Sequence, residues 1–346
     1  MVGRKRKSRK KKKPRAAPIL LAVLAVVLLT AGLGVWAVLA PFGPAQETFV
    51  EVPNGSSTAR IGQLLEQAGV IRTQYAFELV RFWKRGTLRA GEYRFDRPAQ
   101  VAEIYARIAR GDVFTKTVTF PEGSTLFDVA ARLEQAGLGP RKTFLDAAAQ
   151  QTGLVADLDP GATSLEGYLF PDTYHFARKA TPEQICATMV RRFRAVAAQL
   201  GLEEHVHNVV TLASLVERET ALDSERPVVA SVFENRLTKN MPLMTDPAVI
   251  YGLQREGRWR GTIYKSDLAY DTAYNTYLHK GLPPGPIANP GAKSLRAAID
   301  PAHTNYLYFV DAGANPQGHS IFSADLKQQN QNVAGYRHAI KRAGGR

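Results

Sequence analysis

The stretch VPNGSSTARIGQLLEQAGVI, Val52 to Ile71, recurs 68 residues later as FPEGSTLFDVAARLEQAGLG, Phe120 to Gly139. In each copy a strand end leads into a Gly-Ser turn that can cap a helix. Apolar residues at helical spacing then run to a C-terminal glycine. Two copies are too few for a solenoid. The repeat therefore predicts two strand-turn-helix units in a chain of the α+β class.

The segment between the copies, Thr87 to Gly111, adds a short strand, a turn and an amphipathic helix. Together these elements resemble a lysin-motif-like module, a fold that often holds glycan chains. Plain packing of a small α+β subdomain explains the same pattern without sugar binding. We assign residues 41–115 to this subdomain and the linker before it. From about Lys116 longer helices alternate with loops, and residues 116–346 form a larger predicted domain.

The stretch AAPILLAVLAVVLLTAGLGVWAVLA, Ala16 to Ala40, has no ionisable side chain. At ~1.5 Å rise per residue its 25 residues give about 37 Å of helix, against a hydrocarbon core of about 30 Å. A cleaved signal peptide is the alternative, but its apolar core is usually only about 7 to 15 residues. The stretch therefore predicts a transmembrane helix at residues 16–40, and the linker that follows it is juxtamembrane.

The positive charge is concentrated before this helix. Residues 1–15 hold ten of the Lys and Arg and no acid, so the net charge of +14 leaves only +4 for the remainder (14 − 10 = 4). Under the positive-inside rule this basic tail stays in the cytoplasm and the rest of the chain lies outside it. A basic block can also bind nucleic acid. Its junction with an apolar span argues against that, so we expect no nucleic-acid partner.

Cysteine and histidine indicate neither a disulfide nor a metal site. Cys186 is the sole cysteine, which excludes an intrachain disulfide. The seven histidines are scattered, and His205 and His207 at i, i+2 do not share a helix face. We therefore expect no bound metal.

LASLVERET, Leu212 to Thr220, ends an apolar helical run with two acids. With Val209 at 0° and 100° per residue, Glu217 lies near about 80° and Glu219 near about 280°, both at the borders of the apolar stripe. A partly desolvated carboxyl at such a border has a raised pKa and can act as a general acid. The alternative is a routine pair between a helix-end glutamate and an arginine. The candidate arginines are Arg218, Arg226 and Arg236.

The later loop GLPPGPIANPG, Gly281 to Gly291, is stiffened by four prolines and follows Asn275, Tyr277 and His279. A rigid apolar wall beside amide, phenol and imidazole groups is the mixture that sugar sites use. A purely structural tight loop is the alternative.

Five motifs in this order resemble the endolytic murein transglycosylases, which are single-pass inner-membrane proteins of bacteria. They are LEGYLFPDTY (Leu165–Tyr174), LASLVERET, SVFENRL (Ser231–Leu237), TDPAVIYGL (Thr245–Leu253) and AYNTYLHKGLPPGPIANPG (Ala273–Gly291). The likeness covers nearly the whole chain beyond the anchor. It implies that residues 116–346 are a mixed α/β catalytic domain. One departure is Gln329-Asn330, where the family usually shows His-Asn.

The resemblance also implies site residues. The family's catalytic glutamate corresponds to Glu217, which leaves the role of Glu219 open. The positions that correspond to the glycan cleft are Glu166, Tyr168, Asn275, Tyr277, Leu282, Pro283, Pro284 and Ile287.

The implied activity is that of a lyase acting on polysaccharides, which cuts the β-1,4 bond between N-acetylmuramic acid and N-acetylglucosamine and leaves a 1,6-anhydro end. One carboxyl serves as acid and then as base, so no cofactor is needed. The partners would be nascent glycan strands, whose elongation the cuts would terminate, the membrane, and peptidoglycan synthases of the elongation or division machinery. The catalytic domain would lie in the periplasm, outside the inner membrane. A muramidase and a non-catalytic murein-binding scaffold are the alternatives.

Overall fold

The computed structural model describes residues 16–313 and 319–344, so the expected basic tail at residues 1–15 lies outside the described residues. Within these ranges helices dominate, and six short strands pair into three two-stranded sheets. The α+β class and the N-terminal apolar helix predicted from the sequence are confirmed.

Helix α1, Ala16–Leu39, begins the described chain. The segment Pro18–Leu39 within it is long and apolar enough to cross a membrane, and its side chains are exposed along most of its length. The Thr30 hydroxyl donates to the helix's own carbonyl oxygens at Val26 and Val27, 3.0 Å away in each case. This polar group is therefore satisfied without water, as lipid requires.

The chain forms two compact units, the first ending at Thr115 and the second beginning at Lys116. In the first unit, β1 (Thr48–Val52) pairs antiparallel with β2 (Gly91–Phe95), so that Thr48 lies opposite Phe95. Its other helices are α2 (Thr58–Gln67), α3 (Gln74–Lys84) and α4 (Val101–Arg110). Their buried core includes Val50, Ile61, Phe77, Tyr93 and Ile104.

The second unit contains two pairs of strands. Strand β3 (Thr115–Thr119), which starts at the junction, pairs with β4 (Thr173–Ala177). Strand β5 (Tyr308–Asp311) pairs antiparallel with β6 (Ser320–Ser323). Its helices are α5 (Leu126–Gln135), α6 (Arg141–Gln150), α7 (Pro182–Leu200), α8 (Val206–Glu219), α9 (Arg226–Thr238), α10 (Asp246–Arg255), α11 (Ala292–Ile299) and α12 (Leu326–Gly344).

The repeat is confirmed as two strand-turn-helix units, β1 with α2 and β3 with α5. In the first copy the Ser57 side chain accepts the N–H of Arg60. In the second, Thr125 and Asp128 form a reciprocal capping box at the start of α5. Both copies therefore begin their helices by satisfying otherwise unpaired backbone N–H groups.

Helix α8 is central to the second unit. From Val210 to Val216 every residue is buried, because α8 packs against α9, α10 and α11. The sequence suggested an apolar stripe on one side of this helix, whereas its middle is enclosed on all sides. Both ends of the helix are less buried than its middle, and the last turn carries Glu217, Arg218 and Glu219.

Candidate active site

The carboxylate of Glu217 is held at both oxygens. Its Oε1 accepts a hydrogen bond from Arg226 Nη1 at 2.9 Å, and its Oε2 accepts one from the Gly291 N–H at 2.9 Å. The side chain is 5% exposed. Of the arginines that the sequence offered as partners, Arg226 is therefore the one that pairs with Glu217. A charge-assisted bond on each side fixes the direction of this carboxylate.

Arg226, the first residue of α9, connects Glu217 to a wider charged cluster. Its Nε donates to Asp223 Oδ1 at 3.3 Å, its Nη2 lies 4.0 Å from Glu122 Oε2, and its Nη1 also donates to the Ser294 hydroxyl. Asp223 in turn pairs with Lys293. The arginine is buried, so its charge depends on these carboxylates rather than on water.

Glu122 brings a second carboxyl group to Glu217. Partial burial and the neighbouring charge of Glu217 raise the pKa of Glu122, while Arg226 and Lys293 oppose that rise. Glu122 therefore keeps its proton to a higher pH than an ordinary glutamate. Its carboxyl lies against Gly291, where an added Cβ atom would be 1.9 Å from Glu122 Oε1.

Two loops far apart in the sequence enclose Glu217. The Gly123 N–H donates to the Asn289 carbonyl, and the Asn289 N–H donates to the Ser124 carbonyl, both at 2.9 Å. The buried Asn289 amide adds bonds to Ser124 O and Glu166 Oε1 and accepts the Leu169 N–H. The end of the Pro/Gly loop is thus joined to the turn of the second repeat copy.

A polar surface groove runs along this turn. It is lined by Pro121, Glu122, Gly123, Ser124, Asp128, Ala131, Arg132, Gln135 and Arg218. Glu217 lies directly behind Gly123, where an added Cβ atom would be 3.5 Å from Glu217 Cγ. Arg218 borders the groove and donates to the Gly123 carbonyl at 3.2 Å. The groove therefore brings solvent-accessible polar groups next to the buried end of Glu217.

Glu166 lies beneath this region, 2% exposed, and not in the groove. Its Oε2 accepts the N–H of Leu126, the first residue of α5, at 2.9 Å. Burial raises its pKa to about 8, against the opposing effect of the Leu126 N–H. Glu166 thus connects the start of α5 to Asn289.

Tyr168 is also in the core. Its hydroxyl donates to Asp159 Oδ2 at 2.5 Å, and the same oxygen is 2.8 Å from His207 Nδ1. Its ring packs edge-on against Phe193. A role in glycan binding stays a prediction for this residue and for Glu166.

Asn275 and Tyr277 lie on the Glu219 side of the helix end. Asn275 is 0% exposed; its side chain donates to the Leu268 and Tyr270 carbonyls and accepts the Tyr277 N–H. The Tyr277 hydroxyl donates to Asp246 at 2.6 Å. Within the described chain, no hydrogen bond or ion pair joins either residue to Glu217.

Glu219 belongs to this second polar cluster. Its Oε1 accepts a 2.5 Å bond from the Thr245 hydroxyl, and the Thr245 N–H donates to the hydroxyl of Thr276, between Asn275 and Tyr277. Burial raises the pKa of Glu219.

The segment from Leu282 to Ile287 packs on α8. Ile287 is buried and its N–H donates to Ser214 Oγ at 3.0 Å. Pro283 is buried, Leu282 is half-buried and Pro284 is exposed. This segment forms part of the support of the helix that carries Glu217.

Three of the predicted residues, Glu166, Tyr168 and Pro284, line one small pocket with Asp159 and His207, and none of them lines the groove beside Glu217. Glu122 and Gly123, which line the groove, and Asn289, which is hydrogen-bonded to Gly123 and Ser124, are residues that the sequence reasoning missed. The sequence did contain an indication of Glu122. The two repeat copies differ at this position, where the first copy has Asn54 and the second has an acid. In residues 16–313 and 319–344, no group of three or more His, Cys, Asp or Glu side chains could hold a metal ion.

Comparisons with known proteins agree on one family. The sequence model of the YceG-like family matches residues 50–335. An endolytic murein transglycosylase of Bacillus subtilis strain 168 is 32% identical over 303 residues, which cover 82% of each chain. One from Streptococcus pneumoniae serotype 2 strain D39 is 29% identical, over 82% of this chain and 57% of that protein. A crystal structure of a YceG-like protein from Listeria monocytogenes matches with a TM-score of 0.54 and 31% identity, covering 83% of this chain and 99% of that one.

Proposed function

Because the chain belongs to the YceG-like family, we propose that it is an endolytic murein transglycosylase, a lyase that cuts peptidoglycan glycan strands. The bond cut is the β-1,4 linkage between N-acetylmuramic acid and N-acetylglucosamine. The product is a 1,6-anhydro-muramic acid end, and each internal cut terminates elongation of a nascent strand. The names of the relatives support the activity.

The observation that carries the proposal is the placement of Glu217. It is an acid at the end of a buried helix, oriented by Arg226 and by the Gly291 N–H, and it lies next to Gly123, which lines a polar groove. A catalytic carboxyl needs a fixed direction and a neighbouring surface where a substrate can lie. Glu217 has both.

In the proposed reaction the Glu217 carboxyl gives its proton to the glycosidic oxygen, and the bond from C1 of the muramic acid to that oxygen breaks. The C6 hydroxyl oxygen of the same sugar then bonds to C1, and its proton passes to the Glu217 carboxylate. The residue ends as it began, and no water is consumed. Arg226 and the Gly291 N–H stabilise the carboxylate between the two steps.

The charged cluster around Glu217 contains one more carboxyl group than it has cations. Three carboxyl groups, Glu122, Glu217 and Asp223, face two cations, Arg226 and Lys293. Partial burial and the charge of Glu217 raise the pKa of Glu122, so a proton is retained on Glu122 to a higher pH than on an ordinary glutamate.

A muramidase is the second candidate, and Glu122 favours it. A hydrolase of this class uses two carboxyl groups, one as acid and one to activate water or to attack the sugar. Glu122 lies beside Glu217, partly exposed on the groove. Products that carry reducing ends in place of anhydro ends would identify this activity.

Digestion of purified murein with the full-length protein tests the proposal. Wild type should release fragments with anhydro ends, which are lighter by one water than reducing ends, and Glu217→Gln should release none. Glu234→Gln, an exposed glutamate on α9, is the matched control and should keep full activity. Unchanged cleavage by Glu217→Gln would remove Glu217 as the acid. No cleavage by wild type, with binding to murein retained, would indicate a scaffold.

We further propose that α1 anchors the chain in the bacterial inner membrane, with its N-terminus in the cytoplasm and the second unit in the periplasm. The apolar length of α1 and the ten cations before it support this orientation. The tether would keep the enzyme near glycan emerging from peptidoglycan synthases, its expected partners.

A further inference from the structure

Helix α3 has two apolar faces, although one face suffices to attach a surface helix to its core. Ala76, Phe77 and Val80 form the buried face. The other face consists of Tyr75, Leu79, Phe82 and Trp83, which are 70%, 48%, 73% and 79% exposed. At 100° per residue these four side chains lie within an arc of about 100°. Large aromatic side chains grouped in this way indicate an interaction surface.

This exposed face adjoins α1. Leu79 and Trp83 line one apolar pocket together with Gly34, Val38 and Leu39 of α1. The apolar surface of α3 is therefore continuous with the outer end of the segment that is able to span a membrane. Beside it, the Arg72 guanidinium stacks 3.8 Å from the Trp36 ring centroid.

The depth of α3 in the bilayer follows from the residues of α1 that lie beside it. Pro18–Leu39 is about 33 Å long at 1.5 Å per residue, close to the hydrocarbon thickness of about 30 Å, so Leu39 lies near the membrane surface. Gly34 lies about 7.5 Å deeper in the bilayer than Leu39, measured along the helix axis. Amphipathic helices that lie in the membrane interface are buried to about 5–10 Å, the same depth.

The composition of α3 suits that depth. Trp and Tyr are enriched where apolar chains meet headgroups. The last turn of α3 carries Arg81 and Lys84, and Arg85 follows as its C-cap. Long cationic side chains near the end of a helix at this depth can extend their charged groups to the lipid headgroups.

We propose that α3 is a second membrane contact, with its Tyr75, Leu79, Phe82 and Trp83 face lying in the headgroup region of the bilayer that α1 spans. The occupant of this face is lipid. The first unit is then held at the membrane surface by two elements, and its orientation is restricted in a way that a single flexible tether does not provide. The proposal rests on α1 spanning the bilayer and is independent of the chemistry at Glu217.

Nitroxide accessibility in the full-length protein tests this. In a Cys186→Ala background, which removes the sole and buried cysteine, Phe82→Cys carries the label on the proposed lipid face. Val27→Cys in the middle of α1 and Gln67→Cys, exposed on α2, are the lipid and water references. The protein is reconstituted in phosphatidylcholine and phosphatidylglycerol vesicles. Collision rates with oxygen and with a water-soluble nickel chelate are then measured.

We expect chelate collisions at position 82 to be several-fold lower than at position 67, with oxygen collisions between those of positions 67 and 27. Equal chelate access at 82 and 67 would overturn the proposal, whether or not position 27 is in lipid. Spin-spin broadening at position 82 that disappears on dilution with unlabelled protein would show that a second copy occupies the face. Protection only after addition of murein strands would show that glycan occupies it. Either result would also overturn the proposal.

Discussion

At the scale of single residues, the candidate site is built around one buried cation. Arg226 contacts Glu217 and Asp223, approaches Glu122, and has almost no water to solvate it. A buried ion pair adds little net stability over an apolar pair, but removal of one partner leaves an uncompensated charge. Arg226 is therefore required by the fold as well as by the orientation of Glu217.

Arg226→Ala should lower the free energy of unfolding by about 3–5 kcal/mol, because it leaves Glu217 buried without its cation. Urea unfolding followed by circular dichroism measures this change. Lys293→Ala removes a cation from the exposed edge of the same cluster and should leave the unfolding midpoint nearly unchanged. Equal effects of the two substitutions would show that Arg226 is not an essential partner.

Glu166 should make stability depend on pH. Burial raises its folded-state pKa to about 8 from an ordinary 4.5, so the folded state holds a proton that the unfolded state releases between these values. The associated stability is fully present below about pH 4.5 and is lost as the pH rises through about 8. Glu166→Gln should flatten the fall in unfolding free energy across this window. If Glu166→Gln kept the wild-type dependence of unfolding free energy on pH, Glu166 would not be the group responsible.

At the scale of elements, α8 is the support on which the site depends. The segment from Leu282 to Ile287 lies on it, and the turn that contains Gly167 packs between this segment and the helix. Gly167 has a φ of +87°, and an added Cβ atom would lie 2.6 Å from Pro286 Cβ and 2.8 Å from Val210 Cγ1. Both the backbone and the space here require glycine.

Gly167→Ala should therefore destabilise the protein by about 1–3 kcal/mol, through overpacking and a left-handed backbone that alanine disfavours. The melting temperature and murein cleavage should both fall, because α8 and the loop cannot both keep their positions. Gly153→Ala is the control, since an added Cβ atom meets nothing within 4 Å there and its φ is not positive. A wild-type melting temperature for Gly167→Ala would show that the turn yields freely.

At the scale of the whole molecule, the chain has two separate cores. The first core lies before Thr115 and includes Phe77 and Tyr93, and the second core surrounds α8. Since each unit buries its own apolar side chains, each can unfold as its own cooperative block.

Phe77→Ala should therefore lower one calorimetric transition and leave the other in place. The loss of a fully buried phenylalanine costs about 3–5 kcal/mol in the first unit. Phe193→Ala, in the second core, is the reciprocal variant and should lower the other transition. A single transition shifted equally by both variants would show that the two units unfold together.

The sequence by itself determined the features that depend on near neighbours. The apolar run of α1, the repeat with its helix caps and the α+β class follow from residues within a few positions of one another. The chemical type of Glu217, at the end of an apolar helix, was visible in the same way. Its correspondence to a catalytic glutamate came from the resemblance.

Only the tertiary structure decided what surrounds Glu217. Glu217 accepts a hydrogen bond from the Gly291 N–H, which is 74 positions away in the sequence. The hydrogen bond that joins the two loops connects Asn289 to Ser124, which are 165 positions apart. Spacing along the chain contains no information about such contacts, because they arise when separate helices and loops bury their apolar faces together. The resemblance assigned Asn275 and Tyr277 to the glycan cleft, and packing puts them next to Glu219, whereas Glu122 and Arg226 lie next to Glu217.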